Sequence, residues 1–176
     1  MPVETCVALA HACPSGAITY ERHDGGPREP APPVNVLRIL ENGPYAVHGE
    51  IDLFGRTTVR ATLCRCGLSA NKPFCDNSHR AAGFAATGEP PTIESEPLEN
   101  RAGTLQITPT KDGPLHVLGN LEICSGTGRT VLRTENAHLC RCGGSANKPF
   151  CDGSHVRIGF RSETPVVGSV AARPPE

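Results

Sequence analysis

The chain contains no tryptophan, two tyrosines and five phenylalanines, so aromatic residues make up only 4% of its 176 residues. Large aromatic side chains supply much of the buried area in most protein cores. Because hydrophobic residues of all kinds reach only 38%, we expect a modest core whose folding depends partly on bound metal. Proline and glycine are plentiful, at 17 and 19 residues, which favours turns and short strands over long helices.

Neither charge nor hydropathy indicates a nucleic-acid or membrane partner. Lysine and arginine total 17 against 18 aspartates and glutamates, a net charge of −1, whereas nucleic-acid-binding domains usually present a basic surface. No apolar run approaches the roughly 20 residues that cross a bilayer. The N-terminal sequence MPVETCVALAHACPSG lacks the basic start and long apolar stretch of a signal peptide. We therefore predict a cytoplasmic protein that binds neither nucleic acid nor membrane.

The nine cysteines are many for a chain of this length. An odd number without a visible export signal argues against a disulfide scaffold, and in a reducing compartment the thiols stay free to bind metal. Six of them lie in a sixteen-residue motif that occurs twice, as CRCGLSANKPFCDNSH at 64–79 and CRCGGSANKPFCDGSH at 140–155. The copies differ at only two positions, so we predict two centres of similar chemistry that assemble independently.

Each copy carries three cysteines and one histidine at the same spacing. Cys64 and Cys66 flank one residue, so an extended chain can point both sulfurs to one side, and Cys75 and His79 are four apart, as on one face of a helical turn. Thiolate and imidazole are soft or borderline donors that suit transition metals. The candidate ligands are Cys64, Cys66, Cys75 and His79 in the first copy and Cys140, Cys142, Cys151 and His155 in the second.

Other residues of the motif suit a loop that holds negative charge. Asp76 and Ser78 stand where a helix would begin, and an aspartate there can cap free backbone N–H groups. Exposed N–H groups at such an end also stabilise thiolate or sulfide. Gly67 allows another backbone to approach closely. We expect Arg65 and Arg141 to be solvated charges, with an offsetting of the thiolate charge as the alternative.

The repeat extends upstream of the motif. Apolar residues alternate along 45–53 and 115–123, each after a Gly-Pro pair, which predicts two half-buried strands. These segments are 70 positions apart rather than 76, so the second copy has six extra residues, which we expect in a longer hairpin loop that includes Cys124. The predicted division is an N-terminal segment and linker at 1–33, a first repeat at 34–84, a linker at 85–101, a second repeat at 102–162 and a tail at 163–176.

The spacing of the ligands leaves the metal open. A tetrahedral zinc site accepts three thiolates and one imidazole, and a 2Fe–2S cluster also takes four ligands, two on each iron. The motif resembles that of the CDGSH iron–sulfur domain family, in which Cys-x-Cys is followed by a serine or threonine, a proline and then Cys-Asp-Gly-Ser-His. The second copy matches throughout, and the first has Asn77 in place of the usual glycine. Asparagine tolerates unusual backbone angles better than most residues.

The resemblance implies one 2Fe–2S cluster in each motif, bound by the three cysteines and the histidine, in a small fold that is mainly β. We expect a pseudo-two-fold arrangement in which two cluster-binding loops each lead into a short helix, and a monomer that does the work of a dimer. The implied function is electron transfer, or cluster transfer and redox sensing, with redox or apo-acceptor proteins as partners and no enzyme activity. A structural zinc module for protein interaction is the alternative.

The N-terminal segment carries a second, weaker resemblance. Residues 12–22, ACPSGAITYER, are similar to the end of a divergent mono-cluster ferredoxin-like domain, in which Cys13 would be a ligand. Cys6 has no clear counterpart there. Because a cluster needs about four ligands, we interpret this segment as a remnant without a cluster of its own.

Overall fold

A computed structural model describes residues 2–11, 18, 20, 22–27 and 29–162. Cys13 and the predicted tail at 163–176 lie outside these described residues. The described part contains three short helices and six strands. In chain order these are α1 (Val3–His11), β1 (Val36–Ile39), β2 (Tyr45–Leu53), β3 (Arg56–Leu63), α2 (Ser78–Ala81), β4 (Thr104–Pro109), β5 (Leu115–Cys124), β6 (Thr130–Leu139) and α3 (Ser154–Arg157).

The six strands form one sheet in which β1 and β4 lie end to end between the longer strands β2 and β5. Along one edge, β2 pairs with β3; along its other edge, its residues 45–48 pair with β1 and its residues 50–53 pair with β4. Strand β5 is arranged in the same way, with β6 on one edge and both β4 and β1 on the other. The short strands therefore join the two halves of the chain into one unit.

The strand pairings show pseudo-two-fold symmetry, because exchanging the two halves of the chain reproduces the same pattern of pairs. Strand β1 is antiparallel to β2 of its own half and parallel to β5 of the other half. Strand β4 is likewise antiparallel to β5 and parallel to β2. Each motif follows the outer strand of its half and leads into a short helix, α2 or α3. The prediction of a small, mainly β, pseudo-two-fold fold with two such loops is confirmed.

One hydrophobic core is shared by both halves. Strand β2 alternates buried and less buried residues over most of its length, as a sheet with one covered face requires, whereas β5 alternates over 115–118 and is buried throughout 121–124. The short strands contribute Leu37, Ile39, Leu105 and Ile107, which are all buried. Burying each such side chain stabilises the fold by about 1.5–3 kcal/mol relative to leaving it in water. Residues of both halves thus contribute to the one core.

Strands β2 and β5 occupy the segments where the apolar alternation predicted them. The six extra residues of the second half are divided between a longer loop and longer strands: residues 125–129 join β5 to β6, whereas 54–55 join β2 to β3. The expectation that Cys124 lies in the loop is wrong, because it is the last residue of β5 and its side chain is buried.

The segments outside the two repeats contact the sheet. Arg60 of β3 donates from Nη1 to Ala10 O of α1 at 2.9 Å and pairs with Glu29 at 2.6 Å. In the predicted linker at 85–101, Ile93 N donates to Val131 O of β6 at 2.8 Å. Cys6 lies on α1 and is exposed. None of the helices in the described ranges has both the length and the apolar character required to traverse a bilayer.

Candidate metal centres

The first motif folds back on the strand that precedes it. Cys64, which follows β3 directly, donates from its backbone N–H to Pro73 O at 2.8 Å. Cys75 donates in turn to Thr62 O of β3 at 2.9 Å. Together these two bonds form a backbone clamp that brings Cys75 back beside Cys64, although eleven positions separate them in the sequence.

The second motif has the same clamp. Cys140 N donates to Pro149 O at 2.8 Å, and Cys151 N donates to His138 O at 2.9 Å. The near identity of the two motifs therefore extends to their backbone hydrogen bonds. We call the two groups of predicted ligands site one (Cys64, Cys66, Cys75 and His79) and site two (Cys140, Cys142, Cys151 and His155).

The four donors of site one lie in two pairs. The Sγ atoms of Cys64 and Cys66 are 3.7 Å apart, and Cys75 Sγ is 3.5 Å from Nδ1 of His79. Helix α2 begins only at Ser78, so Cys75 precedes it, and the expectation that one helical turn aligns Cys75 with His79 is wrong. A bend at Asn77, between the two donors, stands in place of that helical turn.

Site two repeats this pairing, with 3.7 Å between the sulfurs of Cys140 and Cys142 and 3.4 Å between Cys151 Sγ and His155 Nδ1. Across the described residues, no three cysteine, histidine, aspartate or glutamate side chains form a group around one point that could hold a single metal ion. Each site therefore presents two separate pairs of donors rather than one group of four.

Backbone N–H groups point at the cysteine sulfurs. Leu68 N lies 3.4 Å from Cys66 Sγ, and Asn77 N lies 3.4 Å from Cys75 Sγ. Burial raises the pKa of the Cys66 thiol to about 11, while the Leu68 N–H acts in the opposite direction. Burial therefore favours the neutral thiol in the absence of a cation, and a bound metal ion reverses that preference. The N–H groups are then placed to stabilise the thiolate.

A carboxylate joins the two ends of the loop around site one. Asp76 accepts hydrogen bonds from Ser78 Oγ at 2.6 Å and Ser78 N at 3.0 Å, and from Ala70 N at 2.8 Å. The bond from the Ser78 hydroxyl is the largest of the causes that hold the pKa of Asp76 well below its usual range. The N-cap residue of α2 is Asn77, whose side chain makes no capping bond, and Asp76 instead accepts from the N–H of Ser78, the first helical residue. Asp152 accepts from the backbone of the second motif in the same way.

The asparagine that departs from the family pattern keeps the backbone of the motif. Asn77 has φ of 68° and ψ of 7°, and Gly153 at the same place in the second motif has φ of 83° and ψ of −2°. Both residues are left-handed, a conformation that asparagine adopts more readily than most residues. The turn before each short helix is therefore alike in the two sites.

Arg65, between the first two cysteines of site one, is buried rather than solvated, and only 1% of it is exposed. Its guanidinium donates to the carbonyls of Gly43, Leu40 and Ala86 at 2.8 Å, and to that of Thr87 at 2.9 Å. Burial lowers its pKa. Arg65 thus ties the ligand loop to the turn before β2 and to the chain that follows α2.

Arg141 does the same in site two and is also 1% exposed. It donates to Gly113 O at 2.8 Å, to Thr110 O at 2.5 Å and to Ser162 Oγ at 2.8 Å. The guanidinium also stands 5.4 Å from the centre of the Phe160 ring. The expectation that both arginines are solvated is wrong, because carbonyls from distant parts of the chain replace water around each of them.

The two sites touch each other through their loops. Gly67 and Gly143 have φ of 83° and 79°. A Cβ atom added at Gly67 would lie 2.6 Å from Cys142 O, and one added at Gly143 would collide with Cys66 O. The close backbone approach predicted for Gly67 is thus present, and its partner is the ligand loop of the other site.

The histidines differ in their surroundings. His79 is 8% exposed, whereas His155 is half-buried. Burial is the main cause that lowers the pKa of His79, and the nearby charges of Arg80 and Arg65 act in the same direction. A lowered pKa favours the neutral imidazole, which is the form that binds metal.

Fold and sites together define a β-rich metal-binding protein built from two repeats. The family model described as an iron-binding zinc finger of the CDGSH type matches residues 42–80 and 112–156. Each match begins in the turn before β2 or β5 and extends into the short helix α2 or α3. The two matched segments are consistent with a two-motif member of the CDGSH family, and the predicted resemblance is confirmed. No curated protein matches the chain. The match to this iron-binding model supports binding of iron or of an iron–sulfur centre by the repeats.

Proposed function

We propose that sites one and two each bind one 2Fe–2S cluster through three cysteines and one histidine. The observation that carries the proposal is the division of each site into two donor pairs. An iron of such a cluster takes two protein ligands. Metal–sulfur bonds of about 2.3 Å at tetrahedral angles place two sulfurs about 3.8 Å apart, and the observed Sγ–Sγ distance of 3.7 Å in each site agrees with that spacing.

Mononuclear zinc fits this arrangement less well. One tetrahedral zinc ion would need all four donors at that spacing around a single point. The described donors form no group of three, so a zinc ion would require the pairs to move together. A structural zinc module therefore remains the alternative outcome of the experiment below.

The donor set favours a carrier of electrons or clusters over an enzyme. Four protein ligands close the coordination of a cluster, whereas catalytic metal sites usually keep a position open for water or substrate. Replacing one thiolate by a neutral imidazole makes the cluster less negative and raises its reduction potential above that of an all-cysteine ferredoxin. The same imidazole can be displaced by protons, which suits a cluster that is passed to an acceptor protein. We propose redox proteins or apo-acceptor proteins as the partners.

Anaerobic purification followed by metal analysis tests the cluster assignment. We expect a red-brown protein with about four iron and four sulfide per chain, as two 2Fe–2S clusters require. The Cys124→Ser variant is a matched control, because Cys124 is buried but lies outside both sites, and it should keep the full iron content. A colourless protein with about two zinc ions per chain would refute the proposal and support the zinc module.

A second measurement separates the two carrier functions. The loaded protein is mixed with an apo-ferredoxin, and the iron bound by each protein is measured after separation. Cluster transfer moves iron and sulfide to the acceptor, whereas electron transfer leaves both with the donor and changes only the redox state.

A further inference from the structure

The two sites differ in a hydrogen bond that crosses between the halves of the chain. Tyr45 is the first residue of β2 in the first repeat and is fully buried. Its hydroxyl lies 2.8 Å from Cys140 O and 3.0 Å from Pro149 O, both in the second motif. Leu115 starts β5 at the equivalent place and is also fully buried, but it has no hydroxyl to donate to site one.

Of the two carbonyls that Tyr45 contacts, Pro149 O accepts one bond of the backbone clamp of site two, and Cys140 O belongs to the residue that donates that bond. Pro149 O already accepts the N–H of Cys140 at 2.8 Å, as Pro73 O accepts that of Cys64 in site one. The tyrosine therefore adds a donor to a clamp that is otherwise the same in both sites. Because Cys140 and Pro149 are buried, loss of that donor leaves a carbonyl that water reaches poorly, which costs free energy.

The position of the tyrosine ring is fixed from the side of site one. The guanidinium of Arg65 stands 5.8 Å from the centre of the Tyr45 ring, and Arg65 itself lies between Cys64 and Cys66. A cation over an aromatic face is attracted by the ring. The Tyr45 side chain thus runs from the arginine of one site to the backbone of the other.

We propose that Tyr45 is a positioning residue for site two. Its hydroxyl holds the Cys140–Pro149 clamp, slows loss of the cluster from site two and raises the reduction potential of that cluster. The reduction potential responds because the hydroxyl hydrogen of Tyr45 faces the carbonyl of Cys140, which is a predicted ligand. The positive end of the hydroxyl dipole there stabilises the negative charge that is added to the cluster on reduction. This inference rests on the proposed binding of a 2Fe–2S cluster at each site.

The Tyr45→Phe variant tests the proposal because it keeps the ring and removes only the hydroxyl. The full chain is loaded anaerobically, cluster loss to a chelator is followed by absorbance, and the reduction potentials are measured by titration. Tyr45→Phe is also combined with Cys75→Ser, which removes a ligand of site one, and with Cys151→Ser, which removes a ligand of site two. Each combined variant then reports the cluster of the other site alone. We expect site two to lose its cluster roughly two- to tenfold faster, the range that corresponds to one hydrogen bond, and its potential to fall. Site one should change in neither respect.

Two further variants make the result specific. Tyr45→Leu reproduces the residue found at position 115 and should have the same effects on site two. Leu115→Met changes a buried side chain at the equivalent place without removing a hydrogen bond, and both potentials should stay unchanged.

Four outcomes would count against the inference or its basis. If Tyr45→Phe loses its cluster from site two faster at an unchanged potential, or alters both sites equally, the tyrosine is only a packing residue and the proposal is overturned. If iron and sulfide fill both sites and the variant changes neither property, the proposal is also overturned, while the proposed function stands. A parent protein without iron and sulfide would instead overturn the proposed function on which this inference rests.

Discussion

A single methyl group at the contact between the two loops should disturb both metal sites. We consider Gly67→Ala, in the loop of site one, where the added Cβ would lie 2.6 Å from Cys142 O and 2.8 Å from Cys142 C. These neighbours are backbone atoms of a site-two ligand, so no flexible side chain can move aside. Relief requires one ligand loop to shift against the other.

The expected destabilisation has two parts. Placing alanine at the positive φ of Gly67, 83°, costs about 1–2 kcal/mol because of the left-handed backbone. Forcing an extra carbon into a close contact costs a further ~1–3 kcal/mol. The total of about 2–5 kcal/mol is a large share of the ~5–15 kcal/mol that stabilises a typical domain. For a chain of this size, each kcal/mol corresponds to roughly 2–4 °C in the melting temperature.

Gly83→Ala is the matched control, because Gly83 also has a positive φ, 62°, but no atom lies within 4 Å of a Cβ added there. It should show the backbone strain alone. The melting temperature of each loaded variant is measured by calorimetry, and the cluster of each site is followed during chelation. We expect Gly67→Ala to melt several degrees below Gly83→Ala and to lose clusters faster from both sites. If its effect equals that of the control, or is confined to site one, the loop contact does not couple the sites.

The remaining predictions concern the ligands and a buried charge. Cys75→Ser should retain about half of the parental iron, with the remaining cluster lost faster through the loop contact, whereas a full iron content would exclude Cys75 as a ligand. Because a protonated imidazole cannot bind iron, the stabilisation by the Fe–N bond is present at high pH and lost as pH falls, so cluster loss should accelerate between about pH 7 and pH 5. Replacing His79 and His155 together by cysteine should slow this loss and lower the potential, and an unchanged rate would refute the histidine mechanism. Arg65→Met removes the guanidinium donor from four carbonyls, of which Leu40 O and Ala86 O keep a backbone N–H donor. Because a buried carbonyl left unpaired costs about 1–3 kcal/mol, we expect a destabilisation of roughly 2–5 kcal/mol in thermal or denaturant unfolding, whereas a loss below about 1 kcal/mol would show that water replaces the guanidinium.

The parts of the fold that could be predicted are those that local sequence determines. Alternation of apolar residues after a Gly-Pro pair predicted β2 and β5, because the period of two is a property of one strand. The left-handed conformation at Asn77 and the close approach at Gly67 were also predictable, since each follows from the residue type and its place in the motif.

The parts that could not be predicted depend on partners far away in the chain. The short strands β1 and β4 pair with both halves, and alternation within a strand carries no information about its neighbour. Burial of Arg65 depends on carbonyls more than twenty positions away, so its flanking residues alone indicated a solvated charge. The sequence offered one contrary signal, namely that Arg65 stands between two predicted metal ligands.

The smallest unit that contains a complete site is larger than one repeat. Site two takes a hydrogen bond from Tyr45 and a backbone contact from Gly67, both of the first repeat. Its central strand β5 takes part of its edge pairing from β1. A second repeat alone would keep all four of its predicted ligands but would lose the donor, the contact and the strand that hold them. Because the two motifs are nearly identical, differences between the sites arise mainly from what the opposite half supplies. The sixteen-residue motif thus specifies the donors and the internal bonds of their loop, whereas the opposite half supplies the contacts that hold that loop in place.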